Sequence, residues 1–274
     1  MDWSRLKSIF IIAFLILDIF LFTQLLNKEW INELEVKTDV TLEENLKNAD
    51  IDYSNIPKET FADQYMSANT KIFTSEELGK LTNQTAKLID GTMIHSELKT
   101  AVKIGKNKDT ATLDNFIKNE VLHGEQYVFG NYDEDSGTIT YYQKYREKPF
   151  FINNSARIEF KINKSGEVQS YEQTMLEKIE PISEKEEVLS AIQAVDAIYR
   201  NRLMKPGSKV VKAEMGYYTV VNMEATQVLT PTWCIVVENE KEKEQFLVNA
   251  FEGQIIQGNT DEEEIQENLL EMKK

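Results

Sequence analysis

The hydrophobic and polar positions of this chain fall into three regimes. The first is a continuous apolar run, Ile9–Leu26, in which fourteen of eighteen residues are Leu, Ile or Phe. At 1.5 Å rise per residue the run makes about 27 Å of helix, close to the thickness of a bilayer core. On an insertion scale each of these residues gains roughly 0.3–0.6 kcal/mol, together about 6 kcal/mol. The one carboxylate, Asp18, costs roughly 2.5–3.5 kcal/mol near the centre of a span. Insertion wins, and the run reads as a transmembrane helix. Trp3 and Trp30 flank it as interfacial aromatics do. Arg5 and Lys7 precede it, while Lys28 and Lys37 follow among acids, a slight asymmetry that puts the N-terminus inside. The rival is a cleaved signal peptide. That needs a shorter apolar core and small residues at a cleavage site, and Asn27-Lys28-Glu29-Trp30 offers none. The expectation is an uncleaved signal anchor with residues 27–274 outside the cytoplasm.

The second regime, residues 27–72, is polar and acidic. It reads as a stalk, with a short helical stretch at Leu42–Leu46 and a break at Pro57. The third regime alternates between helical and strand periods. Thr74 and Glu77 have capping-box spacing ahead of Leu78, Leu81 and Leu88. A strand pattern runs over Met93–Ile104. Thr110 can cap a helix whose face is Leu113, Phe116, Ile117 and Val121, stopped at Gly124. Strand patterns follow at Gln126–Tyr132, Thr138–Tyr145, Ala156–Ile162 and Glu167–Gln173, with turn signals Asp135-Ser136-Gly137 and Lys164-Ser165-Gly166.

The chain then repeats itself, beginning with Thr174–Ile182. Ser183 and Glu186 offer a second capping box, with Val188, Ile192, Val195 and Tyr199 as the apolar face and Lys205-Pro206-Gly207 as the stop. Strands run Val210–Val221, Thr232–Val237, Gln245–Ala250 and Gln254–Gln257. The turn Asn163-Lys164-Ser165-Gly166-Glu167-Val168 is echoed by Asn249-Ala250-Phe251-Glu252-Gly253-Gln254-Ile255. The predicted fold class is α+β: an N-terminal transmembrane helix, then a two-copy module of one helix laid on an antiparallel sheet. The expected segments are a cytoplasmic tail 1–8, an anchor 9–26, a stalk 27–72, a first repeat 73–178, a second repeat 179–260 and an acidic tail 261–274. In that tail Ile265, Leu269 and Leu270 could make a short amphipathic helix, with a frayed end as the plainer reading.

Charge narrows the partners. Net charge is −15, with 46 acidic and 31 basic residues. Phosphate binding needs clustered Lys and Arg, so no nucleic acid is expected, nor a polybasic grip on lipid. A single cysteine, Cys234, allows no intrachain disulfide, and its apolar run Trp233–Val237 reads as buried strand. The two histidines, His95 and His123, stand in different contexts, and none of the familiar zinc, thiol, nucleophile-elbow or phosphate-loop motifs occurs. His123 beside Gly124 reads as a helix C-terminal residue favoured by the dipole. Asp133-Glu134-Asp135 lacks the rest of a calcium loop and reads as a solvated hairpin tip, as does Glu238–Glu244. Tyr141, Tyr142, Tyr145, Phe150 and Phe151 read as strand packing, with an aromatic-lined ligand cleft as the alternative. No catalytic constellation and no cofactor or metal site is expected.

Asp18 is then the polar residue that asks for a partner. On a helix it shares a face with Ile11, Phe14, Leu21, Phe22 and Leu25. Intramembrane ionisable groups usually face another helix, so this face is a candidate surface for a transmembrane helix of another protein. A protonated Asp tolerated in a simple tether is the other reading.

The opening residues Met1-Asp2-Trp3-Ser4-Arg5-Leu6-Lys7-Ser8-Ile9-Phe10-Ile11, running into Phe14-Leu15-Ile16-Leu17-Asp18-Ile19-Phe20-Leu21, resemble the YycI (WalI) regulators of Gram-positive bacteria. Pro231-Thr232-Trp233-Cys234-Ile235 and Val248-Asn249-Ala250-Phe251-Glu252-Gly253 are similar to the end of their YycH-like domain. The resemblance spans nearly the whole chain. It implies a non-enzymatic, single-pass membrane protein that acts with a sister protein, YycH. Together they set the activity of the sensor histidine kinase WalK (YycG) in a cell-wall-controlling two-component system, largely through transmembrane helices. The family often carries Asn where this chain has Asp18, so the resemblance implies a polar contact there and not a required charge. The alternative expectation is an extracytoplasmic module that senses a cell-wall component.

Overall fold

The structure, a computed structural model, describes residues 39–105, 109–133, 136–222, 226–240 and 242–257, with eight helical residues between Lys7 and Phe22. The acidic tail 261–274 and residues 27–38 lie outside the described residues. The chain divides into two units, Met1–Asn45 and Leu46–Lys274.

The first elements in chain order are α1 (Asp39–Asn48), β1 (Ala62–Asp63), β2 (Met66–Thr70), α2 (Ser75–Leu78), β3 (Gln84–Ile89), β4 (Met93–Lys103) and α3 (Ala111–Glu120). Next come β5 (Tyr127–Asp133), β6 (Thr138–Tyr145), β7 (Lys148–Phe151), β8 (Arg157–Ile162), β9 (Glu167–Gln173), β10 (Leu176–Pro181) and β11 (Glu186–Glu187). The last are α4 (Ala191–Arg200), β12 (Lys209–Asn222), β13 (Thr226–Asn239), β14 (Glu242–Asn249) and β15 (Ile255–Gln257).

The fold is α+β, with few helices and a large, mostly antiparallel sheet. Its strand path is β10-β2-β13-β12-β7-β6-β8-β9-β4-β3, with β14 on β13, β15 on β14 and β5 on β6. After α3 the strands β5, β6, β8 and β9 are ladder neighbours in succession; after α4 so are β12, β13, β14 and β15. Each succession ends in the same kind of turn. The side-chain oxygen of Asn163 accepts from the N–H groups of Ser165 and Glu167, and that of Asn249 from Phe251 and Glu252. Each turn holds a glycine at positive φ, Gly166 (75°) and Gly253 (68°), where a side chain would be strained.

Strand alternation builds one core. In β8, Ile158 and Phe160 point inward while Arg157, Glu159 and Lys161 stay at least partly exposed. These meet Ile139, Tyr141, Val168 and Tyr171 beneath Leu113 and Ile117 of α3. A second core lies under α4. Its Ala191, Ala194, Val195 and Ile198 pack on Met215, Trp233, Ile235, Val237, Phe246 and Val248. The Trp233 indole N–H donates to the Leu189 carbonyl at 2.7 Å, tying the middle of the sheet to the start of α4.

Strand β7 joins the two regions. It pairs antiparallel with β6 and parallel with β12 over Tyr217↔Phe150 and Tyr218↔Phe151. On one side β13 changes partner midway, from β2 (residues 226–229) to β14 (232–239). Pro231 stands at the change. Its carbonyl accepts from Ala250 on that side, so its missing N–H falls where one partner has ended and the next has not begun.

Three expectations are corrected. The Thr74–Glu77 capping box is present, but its helix lasts one turn, and Leu88 belongs to β3, because β4 offers a ladder to Gln84–Ile89. The second helix starts later than its Ser183–Glu186 signal: Glu186 pairs with Asp63, and the box that opens α4 is Ser190 with Gln193. The described part of the expected stalk is built into the domain. β2 lies between β10 and β13, and Leu46, Ile51, Met66 and Ala68 are buried. Polar spacing in that stretch hid a strand whose ladder partners lie more than a hundred residues away.

Candidate functional site

Of the six residues expected on the intramembrane face, Phe14, Asp18, Leu21 and Phe22 are helical and exposed, whereas Ile11 and Leu25 lie outside the described residues. Phe10, Leu15 and Leu17 are also exposed. A carboxylate framed by uncovered apolar side chains can offer hydrogen bonds to a polar group on a partner helix. Most of residues 9–26 is outside the described residues, and among the described residues no helix is long and apolar enough to cross a membrane.

The aromatic set does not line one cleft. Tyr141 is in the core under α3 and donates its hydroxyl to Asp114. Phe150 packs with Tyr217, Leu176 and Leu229. Phe151 lies in a third cluster with Cys234 and Leu247. Tyr145 is partly buried at the second cluster, with the Arg146 guanidinium 5.0 Å from its ring centre. Strand alternation sends neighbouring aromatics to opposite faces, which is why they part.

The cysteine and the two histidines stand on different elements, each with its own surroundings. Cys234 is in β13, and burial pushes its thiol up to about 12, so it stays protonated. His95 instead faces Glu172 across β4 and β9 at 3.4 Å, and His123 lies 3.8 Å from Glu77. His123 adopts a left-handed conformation after α3, and Gly124 beside it is obligatory: a Cβ there would stand 1.8 Å from the Ile117 carbonyl oxygen. Asp133 turns on itself to accept from Ser136, as a hairpin tip does. Among the described residues no group of three or more His, Cys, Asp or Glu is placed to hold a metal.

One buried charge cluster escaped the sequence reading. Asp63 of β1 accepts from the Tyr217 hydroxyl at 3.0 Å and from the Gln64 N–H at 2.9 Å, and binds the Lys148 ammonium. The three elements β1, β7 and β12 thus meet at one carboxylate. Burial and then the Asp63 charge push the Tyr217 hydroxyl up, the opposite of an activated phenolate. The arrangement is a clasp across the junction. Lys148 and Tyr217 lie 85 and 154 positions from Asp63, so no local pattern announces it. Asp196 on α4 is a second buried carboxylate. Burial pushes it up, while the Arg200 guanidinium, 2.5 Å away, pulls it back.

Residues 31–251 match the family described as YycI protein. No curated protein matches the chain. Among solved structures, an uncharacterized protein from Eubacterium rectale matches with 11% identity and a TM-score of 0.43, over 76% of this chain and 89% of that one. The C-terminal domain of YpeB from Bacillus megaterium matches with 9% identity and a TM-score of 0.38, over 80% and 96%.

Proposed function

The chain belongs to the YycI family, and from that premise we propose that it is a non-enzymatic, membrane-anchored regulator of the sensor kinase WalK (YycG), acting with YycH. Residues 9–26 are the single span, with the N-terminus in the cytoplasm and the folded unit outside. The partner-binding face is Ile11, Phe14, Asp18, Leu21, Phe22 and Leu25. What supports this reading beyond the family is the apolar run Ile9–Leu26 with a single carboxylate, Asp18, near its middle.

The mechanism is a bias on a helix bundle. A helix that contacts two kinase states unequally shifts their ratio tenfold for each about 1.4 kcal/mol of difference. One or two intramembrane polar bonds supply that much. The outer part is read as two copies of a helix-on-sheet unit, 73–178 and 179–260. The successive ladders after α3 and α4 and the matched Asn turns support the duplication. In this reading the module is a contact-making body with no chemistry of its own.

The test is co-purification from membranes. The tagged chain is extracted in mild detergent beside a version whose residues 9–26 are replaced by a plain Leu/Ala helix. The expected result is that the native chain brings the kinase and the YycH-like sister, and the replaced one does not. If both bring the kinase, contact lies outside the membrane and the helix is a tether. If neither does, the regulator reading falls.

A further inference from the structure

α4 meets the sheet through Ala191, Ala194, Val195 and Ile198, which are spaced as one helical face. At 3.6 residues per turn Asp196 stands about 150° from the middle of that face. None of its surface reaches water all the same. Ile192 and Tyr199, on the same flank as Asp196, are partly buried in the same cluster. The sheet cannot cover this flank, so another part of the chain does. Neither Asp196 oxygen is in hydrogen-bonding geometry with a donor. The charge that acts on it is the Arg200 guanidinium, 2.5 Å away and one turn on, and that side chain is 56% exposed. The strands under α4 present apolar side chains to it, and the chain ahead of β1 presents Leu46, Ile51, Tyr53, Ile56 and Phe61. Tyr53 and Tyr199 are the titratable members of this cluster.

Residues 49–61 run from α1 to β1 with no helix and no ladder beyond one bridge, Asp52 to Lys209. The stretch is pinned at its start. The Asp52 N–H donates to the Ser208 carbonyl, its C=O accepts from Val210, and Gly207 donates to the Ala49 carbonyl. It is pinned again at its end, where the Phe61 carbonyl accepts from Val188 and β1 pairs with β11. Between the pins, the hydrogen bonds of residues 53–60 stay within residues 52–56, and Pro57 has no N–H to give. Tyr53 and Ile56 hold this middle part to the α4 cluster. A segment tied at both ends and without hydrogen bonds to its support in the middle belongs to the low-stability end of a fold.

We propose that residues 53–60 are a proton-controlled strap, closed over α4 while Asp196 carries a proton and lifted when Asp196 is ionised and water reaches it. A buried carboxylate without hydrogen bonds is much costlier charged than neutral. Burial pushes Asp196 up from an ordinary 3.8, and Arg200, largely in water, pulls it back in part. The closed strap therefore holds the proton. Opening increases as pH climbs from the ordinary value to the raised one, by at most about tenfold per pH unit, and levels off above it. Ionisation thus changes how the chain ahead of β1 is held to the folded unit.

The test follows the full chain in mild detergent by NMR from about pH 4 to neutral. It reads the Asp196 carboxyl carbon, the methyl groups of Ile56 and Ile192, and that of Ile139 in the core under α3 as a control. Asp196 is expected to titrate above 3.8, and the Ile56 and Ile192 signals to shift with the same midpoint while Ile139 stays fixed. The open-to-closed ratio at neutral pH should be at least about tenfold that near pH 4. Asp196→Ala removes the charge, and Ile56 should cease to respond to pH. Asp196→Asn should do the same with a neutral group of equal size, which keeps the test open if the alanine variant fails to fold. Arg200→Gln removes the opposing charge and should move the midpoint up. Titration of Asp196 at or below 3.8, Ile56 signals that stay fixed through the Asp196 step, or an Ile56 response that survives in the folded Asp196 variants overturns the proposal. So does an Ile139 shift as large as that of Ile56, since the change would then be general and not confined to the strap.

Discussion

The Asp63 clasp shows how much one side chain can hold. Its carboxylate is 5% exposed and satisfied by an ammonium, a hydroxyl and a backbone N–H from three sources. Removing the cation leaves a buried charge without its counterion, which typically costs about 3–5 kcal/mol. Lys148 reaches water with 28% of its side chain exposed, so Lys148→Met should cost less, about 2–3 kcal/mol. Adding Asp63→Asn should return at least half of that loss, because the amide still accepts from Tyr217 and Gln64. Urea unfolding of the single and double variants at neutral pH checks both statements. Glu77 makes a pH prediction. Burial pushes its carboxyl up, but the Thr74 N–H and the Lys71 ammonium outweigh that and hold it at about 2, below an ordinary 4.5. A depressed carboxylate stabilises the fold above its unfolded value, and that stability is lost as pH falls through the folded one. Glu77→Gln should therefore be less stable than the parent at neutral pH, by at most about 3 kcal/mol. The gap should close between pH 4.5 and about 2. Unfolding curves at a series of pH values would expose a constant gap, which contradicts the assignment.

At the scale of elements, β7 is the narrow join of the fold. Its four residues link β6 to β12, and the Phe151 ring abuts the backbone of β12 at Gly216. A Cβ at Gly216 would stand 2.4 Å from the Phe151 ring and 2.4 Å from the Pro149 carbonyl. Gly216→Ala should thus lower stability by about 1–3 kcal/mol and disturb the amide signals of Phe150 and Phe151. Gly166→Ala is the contrast. Nothing lies within 4 Å of its missing Cβ, and only its φ of 75° resists the substitution. Its cost should be about 1 kcal/mol, with no change at β7. Equal losses in the two variants would mean that contact with Phe151 is not what fixes Gly216. The same reasoning explains which elements were legible. Thr138–Tyr145 and Glu167–Gln173 were readable to their ends, since the first is rich in β-formers and each follows a glycine turn. The face of α3 was readable from its helical spacing. β2, β3 and β7 were not, because they are short and their character comes from the strands beside them.

For the whole molecule, the proposed function divides the work between the apolar run 9–26 and the folded unit. If residues 9–26 act through a polar contact, Asp18→Leu should weaken recovery of the kinase in the membrane co-purification. Asp18→Asn should leave it nearly intact, since both side chains offer hydrogen bonds. Loss in both variants would point to a required charge, and loss in neither to a plain tether.

By itself the sequence determined the apolar run with its one carboxylate, the α+β class, most strand cores, the two Asn–Gly turns and the family to which the chain belongs. These rest on composition and on contacts between near neighbours, which local spacing records. Only the tertiary structure decided that residues 46–70 join the core, that α4 starts at Ala191, that the aromatics part into separate clusters, and that Asp63 meets Lys148 and Tyr217. The reason is the same in each case. The deciding partner lies tens to more than a hundred residues away, and a strand or a buried charge takes its meaning from that partner and not from its own neighbours in the chain.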